Sequence, residues 1–280
     1  MDPRLIAAYI VAILFEVGMP IALGIYANRR LGVSWRYFWY GALIFFLFQM
    51  VTRVPAVQIL QATLADPLRS SAVLQWIWFL ALAITAGLFE EVGRYLGYRH
   101  LVFRGDAGKL RREDAETPAH GARDSAWRKG VMYGLGHGGL ESMLLVAGLA
   151  TLSLIQAVTI AKMDPAAVAI LPPEQAEAVR QARAIFENIS WWLPLLGAFE
   201  RLAAVVIQVG FSILVLQVFL RGSIRWLYLA IGAHFLVDFA ALASVRWFGA
   251  VWTEVLVGLF AVVAAYLILR LRPAPESATG

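Results

Sequence analysis

The chain has 280 residues, of which 60% are hydrophobic and only 15% are charged. About a quarter of the residues in a soluble domain are charged, so this composition excludes an ordinary soluble protein and indicates a membrane protein. The absence of cysteine excludes disulfide scaffolds, cysteine-ligated zinc fingers and thiol nucleophiles. The net charge of +5 comes from basic residues that lie mainly between apolar runs. These residues indicate membrane topology and no nucleic-acid partner.

Seven stretches of the chain reach the length of about 20 apolar residues that a transmembrane helix needs. They are 5–27, 36–61, 73–98, 128–160, 190–220, 224–245 and 249–270. The first stretch is too long for the apolar core of a cleaved signal peptide. The pattern predicts an all-α, polytopic protein of the cell (inner or plasma) membrane, with about seven transmembrane helices in one integral domain over residues 1–280.

The basic residues between these stretches predict the orientation of the bundle. Fifteen Lys and Arg residues fall on one side and six on the other, which predicts an outside N-terminus and a cytoplasmic C-terminus. Residues 99–129 would then form a charged cytoplasmic loop, and residues 273–280 a flexible tail. The outer loop, 162–190, has a helical pattern after two prolines. It predicts either an amphipathic helix on the outer surface or an extension of the fifth span.

Ionisable side chains inside a span are costly, at about 2.5–3.5 kcal/mol each at mid-bilayer, so we expect them to face partners or water inside the bundle. Three spans carry such residues in clusters. They are Glu90, Glu91 and Arg94 in the third span, His137 and Glu141 in the fourth, and His234 and Asp238 in the sixth. Residues four apart share a helix face. This spacing relates Glu90 to Arg94, His137 to Glu141, and His234 to Asp238.

Each cluster also has a purely structural interpretation. The cluster in the third span could be an intrahelical ion pair, and the one in the sixth span could be a His–Asp bond that ties two helices. The cluster in the fourth span could be a packing seam around Gly134, Gly136, Gly138 and Gly139. Four further charges inside spans favour structural pairing. They are Glu16, Arg53, Glu200 and Arg201. Arg53 could neutralise Glu16 or Glu200.

The three clusters are predicted to lie at similar depths. Counted from the cytoplasmic end of each span at 1.5 Å per residue, Glu90, His137 and His234 are about 14–15 Å from the cytoplasmic face. Glu141 and Asp238 are about one turn deeper, at roughly 20 Å. Imidazole and carboxylate groups are suitable ligands for zinc or another divalent metal, and a catalytic site leaves one position for water. This chemistry predicts hydrolysis of a peptide bond in a membrane cavity that opens toward the cytoplasm.

The motifs EEVGRY, GLGHGGLE, ER in the fifth span and HFLVD together resemble the YhfC-type membrane peptidases. These are related to the CAAX-processing and bacteriocin-processing (CPBP) and PrsW intramembrane proteases. The resemblance runs from the third to the sixth span. It implies that Glu90 or Glu91 is the catalytic glutamate and that His137 is the histidine of the second motif. His234 and Asp238 match the last motif.

Three features depart from the CAAX-type pattern: a spacing to Arg94 that is one residue shorter, Asp in place of Asn at position 238, and the extra acid Glu141. The shorter spacing leaves open which glutamate faces the cavity. We expect the metal ligands to be His137, His234 and one acid, either Glu141 or Asp238. The general base would be Glu90 or Glu91, oriented by Arg94. The partners would be the lipid bilayer and a peptide or protein substrate associated with the membrane.

Other functions are compatible with buried histidines and acids. A proton- or ion-coupled transporter also buries such groups, although the chain shows no internal repeat of the kind that transporters contain. A non-catalytic membrane module, such as a partner-binding or immunity-type protein, could keep a peptidase-like scaffold. Haem ligated by His137 and His234 is a further alternative.

Overall fold

The computed structural model describes residues 2–104 and 119–273, with the backbone alone for residues 119 and 120. All regular secondary structure in these ranges is helical. The elements are α1 (Pro3–Leu31), α2 (Arg36–Phe45), a π-helical segment (Phe46–Arg53), α3 (Val54–Thr63), α4 (Ala65–Ser70), α5 (Ala72–Gly97), a second π-helical segment (Tyr98–Val102), α6 (Ala119–Leu140), a third π-helical segment (Glu141–Val146), α7 (Ala147–Lys162), α8 (Pro165–Ala169), α9 (Pro173–Asn188), α10 (Leu193–Arg221) and α11 (Arg225–Arg270).

Six helices of the described chain are long and apolar enough to cross a membrane. The last of them, α11, has 46 residues, and as a straight rod it would measure about 69 Å, more than twice the thickness of a bilayer core. Gly249 interrupts it with φ 76° and ψ 179°, so α11 consists of two apolar segments, 225–248 and 250–270. The prediction of an all-α polytopic membrane protein is therefore confirmed.

The ends of the long helices follow from local sequence. The Asp2 side chain accepts a hydrogen bond from the backbone N–H of Arg4 at 2.9 Å and so caps α1, while Pro3 occupies the first turn. Gly32 ends α1 and Gly222 ends α10, with φ of 63° and 65°. This left-handed conformation is costly for residues with a Cβ atom and commonly ends helices at glycine.

Helix α9 lies in the segment predicted as an outer loop, and it is separate from the fifth span. Ile189, which follows it, has extended backbone angles (φ −71°, ψ 129°), so α9 is not an extension of α10. Arg183 anchors it to the end of α7 by donating to the carbonyl oxygens of Ile160 and Met163 at 2.9 and 3.0 Å. On its exposed face, a hydrogen bond from Arg180 lowers the pKa of Glu177.

Parts of the other two predicted segments lie outside the described residues. In the predicted cytoplasmic loop 99–129 these are residues 105–118, and in the predicted tail they are residues 274–280. The second π-helical segment continues α5 to Val102, two residues before the described range ends at the first gap, and α6 begins at residue 119. The sidedness of the loops and the limits of the domain stay predictions.

Helix α6 packs closely against α2 and α10 through its glycines. A Cβ atom on Gly134 would lie 2.7 Å from Cα of Val209, and one on Gly138 would lie 2.8 Å from Cβ of Gln208. A Cβ atom on Gly136 would collide with the carbonyl oxygen of Phe38 in α2. The glycine seam is thus filled by neighbouring helices, as expected where small residues allow close helix approach. It holds His137 between α2 and α10.

We expect Gly136→Ala to destabilise the bundle by about 1–3 kcal/mol or more, because the added methyl group meets a backbone oxygen that has no rotamer to adopt. Gly148→Ala is the matched control, since a Cβ atom at that position has nothing within 4 Å. Its effect should be close to zero or slightly stabilising, because alanine favours helices. Unfolding of both variants by heat or denaturing detergent measures the difference. Equal stabilities would contradict the close packing of α2 on α6.

Candidate functional site

The Glu90 carboxylate lies where four helical elements meet, and it is buried at 6% exposure. His137 on α6 places its Nε2 at 3.0 Å from Glu90 Oε2, and the Nε2 of His234 on α11 lies 3.9 Å from the same oxygen. Gln208 on α10 donates its Nε2–H to that oxygen at 3.1 Å. Gln49, in the first π-helical segment, donates to the other oxygen, Oε1. The structure therefore brings the three predicted clusters together around Glu90.

Glu91 and Arg94 form a fully buried ion pair behind His234. Arg94 Nη1 lies 3.0 and 3.2 Å from the two oxygens of Glu91, whereas its Nη2 is 3.7 Å from Glu90 Oε2. Arg94 thus contacts Glu91 more closely than it contacts Glu90. The spacing of four residues had suggested Glu90 as its partner. His234 Nδ1 is 2.7 Å from Glu91 Oε1. We assign the ring proton to Nδ1, because an ionised carboxylate only accepts.

With this tautomer, His234 presents the lone pair of its Nε2 to the neighbouring carboxylates of Glu90 and Asp238. That nitrogen faces Glu90 at 3.9 Å and the Oδ2 of Asp238 at 3.6 Å. Glu91 and Arg94 are both completely buried, while the Asp238 side chain is 35% exposed. The exposure of Asp238 marks one edge at which the polar site reaches the surface of the bundle.

Two glutamines hold the Glu90 carboxylate in position. Gln208 Oε1 accepts from Arg94 Nη2 at 2.5 Å, and Gln49 Oε1 accepts from Arg53 Nη1 at 3.2 Å. A guanidinium group can only donate hydrogen bonds, so each arginine fixes the amide with its oxygen toward arginine and its N–H toward Glu90. Each oxygen of Glu90 is therefore held by one Arg–Gln pair.

The sequence reasoning missed both glutamines because it considered only ionisable side chains. The available signal was the cost of an unpaired amide in the membrane. Gln49 lies in FFLFQMV and Gln208 in VVIQVGF, each the single polar side chain of an otherwise apolar run. Such a residue inside a span is expected to have a polar partner.

Glu141 lies on the far side of Gln208 from Glu90. Gln208 Nε2 donates to Glu141 Oε2 at 3.0 Å, and Arg201 Nη1 pairs with Glu141 Oε1 at 3.3 Å. Arg201 also pairs with its neighbour Glu200. Glu141, which begins the third π-helical segment, thus joins Glu200 and Arg201 in a second polar cluster that Gln208 links to Glu90.

Arg53 does not pair with Glu16 or Glu200, so that expectation is wrong. Its guanidinium group binds Gln49, the carbonyl oxygen of Leu82 at 2.7 Å and Thr85 Oγ1 at 3.3 Å. The reason is its place in the π-helical segment that packs on α5. Glu16 is buried, and its Oε2 has no hydrogen-bond partner among the described residues.

The donor set fits a divalent cation. Within the described chain, Glu90, Glu91 and His234 each offer a ligand atom within 4.8 Å of the other two. When both histidines are neutral, Glu90, Glu91 and Asp238 carry three negative charges against two positive charges on Arg53 and Arg94. Buried charges are usually paired or bound to metals, so this net charge of −1 would favour a bound cation. Carboxylate oxygen and imidazole nitrogen are both suitable ligands for zinc.

Comparison with known proteins places the chain in a family. The family model described as "YhfC intramembrane metalloprotease" matches residues 13–111 and 120–270, ranges that include every site residue named above. The chain is also 27% identical over 256 residues, or 90% of both proteins, to the "Uncharacterized membrane protein YhfC" of Bacillus subtilis (strain 168). No solved structure matches. The chain therefore belongs to the YhfC intramembrane metalloprotease family.

Proposed function

We propose that this protein hydrolyses a peptide bond in a peptide or membrane-associated protein at the buried Glu90 site. The site would use a divalent metal, which we expect to be zinc. One observation carries the proposal. A single carboxylate oxygen, Glu90 Oε2, lies 3.0 Å from one imidazole nitrogen and 3.9 Å from another, and the two imidazoles come from different helices. The family description supports this function over a non-catalytic module or a transporter.

The metal would be held by Glu90 and by His234 Nε2, both members of the donor set described above. The third ligand would be Asp238, which lies outside that set but has its Oδ2 3.6 Å from the same nitrogen. His234 fits this role because its other ring nitrogen is bonded to Glu91, and histidines that bind metals commonly donate their second N–H to a carboxylate. Glu90 fits because its oxygens accept hydrogen bonds from two amides, and such bonds fix the orientation of a ligating carboxylate. Glu91 is occupied by Arg94 and His234 and acts as the orienting group.

His137 would be the proton carrier. Its Nε2 contacts Glu90, and its Nδ1 is buried with no hydrogen-bond partner among the described residues. The ring can therefore gain a proton without losing an existing bond, and the neighbouring carboxylate stabilises the resulting positive charge. This assignment exchanges the roles that the sequence suggested for Glu90 and His137.

The reaction follows from these positions. A divalent metal held by these residues would supply Lewis-acid chemistry, which polarises a carbonyl group and makes water more acidic. The water oxygen bonds to the carbonyl carbon, and its proton passes to His137. The protonated imidazole then gives this proton to the amine nitrogen as the C–N bond breaks. Substrate would reach the site past Asp238, the most exposed of its acids.

The geometry does not support bis-histidine haem. Glu90 Oε2 is within 4 Å of Nε2 in both His137 and His234. A porphyrin ring between the two imidazoles would have to occupy the position of this carboxylate. Glu90 is fixed by Gln49 and Gln208 and cannot move aside without breaking both bonds.

Metal content tests the ligand assignment. We expect near-stoichiometric zinc in the purified protein, and loss of that zinc in His234→Asn and Glu90→Gln, because each removes a proposed ligand. His137→Asn should retain zinc. His100→Asn is the matched control, since His100 is an exposed histidine beyond the end of α5. Inductively coupled plasma mass spectrometry of protein in nanodiscs supplies the measurement.

Two results would contradict the proposal. If the wild-type protein, after exposure to zinc, contained only background levels of every divalent metal, the proposal of a metallopeptidase would be contradicted. Zinc that persists in Glu90→Gln but is lost in His137→Asn would show that His137 is the ligand and Glu90 the base, which is the arrangement expected from the sequence.

A further inference from the structure

A polar cavity lies at the junction of α1, α2 and α6. It has a volume of about 470 Å³ and is lined by the α1–α2 turn and by the first half of α6. Three of its lining side chains are cationic, namely Arg36, Arg128 and Lys129, and Asp124 is acidic. None of them belongs to the site described above, so the cavity is independent of the proposed hydrolysis.

The single acid of this cavity is already neutralised. Asp124 forms ion pairs with Arg128 Nε at 2.6 Å and with Arg272 Nε at 3.7 Å. Arg36 and Lys129 have no ion pair with any carboxylate of the described residues. Both cations instead lie against Tyr37, with the Arg36 guanidinium carbon at 4.7 Å and Lys129 Nζ at 5.6 Å from the ring centre. Two positive charges of the cavity are therefore available to an anion.

The walls of the cavity are held in place. Arg128 Nη1 donates to the carbonyl oxygen of Leu31 at 2.9 Å, which ties the α1–α2 turn to α6. Asn28 Nδ2 donates to the carbonyl oxygen of Val33 at 2.8 Å within the turn. Gly32 adds open space, because a Cβ atom at that position would have nothing within 4 Å. An anion could thus approach the turn backbone without displacing a side chain.

The cavity is at the level where lipid headgroups are expected. It lies between the end of one membrane span and the start of the next. Trp39, which is 60% exposed, lies one turn along α2 from Arg36, and exposed tryptophans mark the membrane–water interface. The Lys and Arg count assigns this side to the cytoplasm, where anionic lipids attract basic segments.

We propose that this cavity binds a phosphate group, with Arg36 and Lys129 as its charged ligands. Arginine and lysine are the usual partners of phosphate oxygens in proteins. The phosphate can come from the headgroup of an anionic lipid such as phosphatidylglycerol or from a free phosphate ion, and the two sources share the same ligands.

Titration with phosphatidylglycerol, followed by native mass spectrometry of the detergent-solubilised protein, tests the proposal. Arg36→Gln and Lys129→Gln should each weaken binding about fivefold, the factor expected for one basic residue beside an anionic headgroup. Lys129→Arg should bind as the wild type does, because it keeps the charge. Arg225→Gln, an exposed arginine at the start of α11 on the same predicted side, is the matched control and should also leave binding unchanged.

Inorganic phosphate distinguishes the two sources. If inorganic phosphate displaces phosphatidylglycerol from the wild-type protein but not from Lys129→Gln, a free phosphate ion is a ligand of this cavity. If phosphatidylglycerol binds and phosphate does not displace it, the lipid is the ligand. Three outcomes would overturn the proposal: unchanged affinity in both pocket variants, equal weakening by Arg225→Gln, or equal affinity for phosphatidylcholine. A folded state is checked for each variant by its thermal unfolding.

Discussion

Glu90→Gln is expected to lower the cleavage rate by about 10²–10⁴-fold, the range for loss of a group that handles charge or protons in the transition state. The substitution removes the negative charge between the two imidazoles. Gln49 and Gln208 both donate an N–H to Glu90. In Glu90→Gln the new N–H₂ group therefore faces one of these donors, and a hydrogen bond is lost. New protein N-termini, measured by mass spectrometry after incubation with a membrane-protein extract, report the activity.

Two further variants make this result specific. Glu174→Gln changes an exposed glutamate of α9 and should leave cleavage unchanged. Glu90→Asp keeps the charge but withdraws the carboxylate by one methylene, and its activity should lie between those of the wild type and Glu90→Gln. Cleavage at the wild-type rate by a folded Glu90→Gln protein would exclude this carboxylate from the chemistry.

Arg94→Leu is expected to destabilise the protein by about 3–5 kcal/mol, the usual cost of removing one partner from a buried ion pair. Arg94 is fully buried and binds Glu91 and Gln208, with Glu90 at 3.7 Å. Its loss leaves two carboxylates in the membrane interior without their guanidinium partner. Unfolding in detergent or nanodiscs, followed by tryptophan fluorescence, measures the change.

A double variant separates charge from packing in this prediction. Glu91→Leu together with Arg94→Leu removes both members of the closest ion pair, and we expect it to recover part of the lost stability, because only Glu90 then lacks its guanidinium partner. Arg99→Leu, an exposed residue in the π-helical segment that follows α5, should change stability by no more than about 0.5 kcal/mol. A double variant as unstable as Arg94→Leu would contradict an electrostatic origin.

The sequence reasoning succeeded where position along a helix was enough. The rise per residue is nearly constant in a helix, so counting from the span ends placed Glu90, His137 and His234 at one depth. The structure brings both imidazoles within 4 Å of one Glu90 oxygen. Spacing alone did not decide the partners. In the regular helix α5, Arg94 contacts Glu91, three residues away, more closely than Glu90, four residues away. Arg53 binds Gln49, Leu82 and Thr85 and neither of the acids expected for it.

Composition and hydropathy alone determined that this is a helical membrane protein with acidic and imidazole groups buried at one level. Those properties depend on residue type and on local helix geometry. Only the tertiary structure decided that Arg94 pairs with Glu91, that Gln49 and Gln208 hold Glu90, and that Glu141 belongs to another cluster. Partners across helices depend on how each helix is rotated and how closely it packs, and here the glycines of α6 set that distance through contacts with α2 and α10.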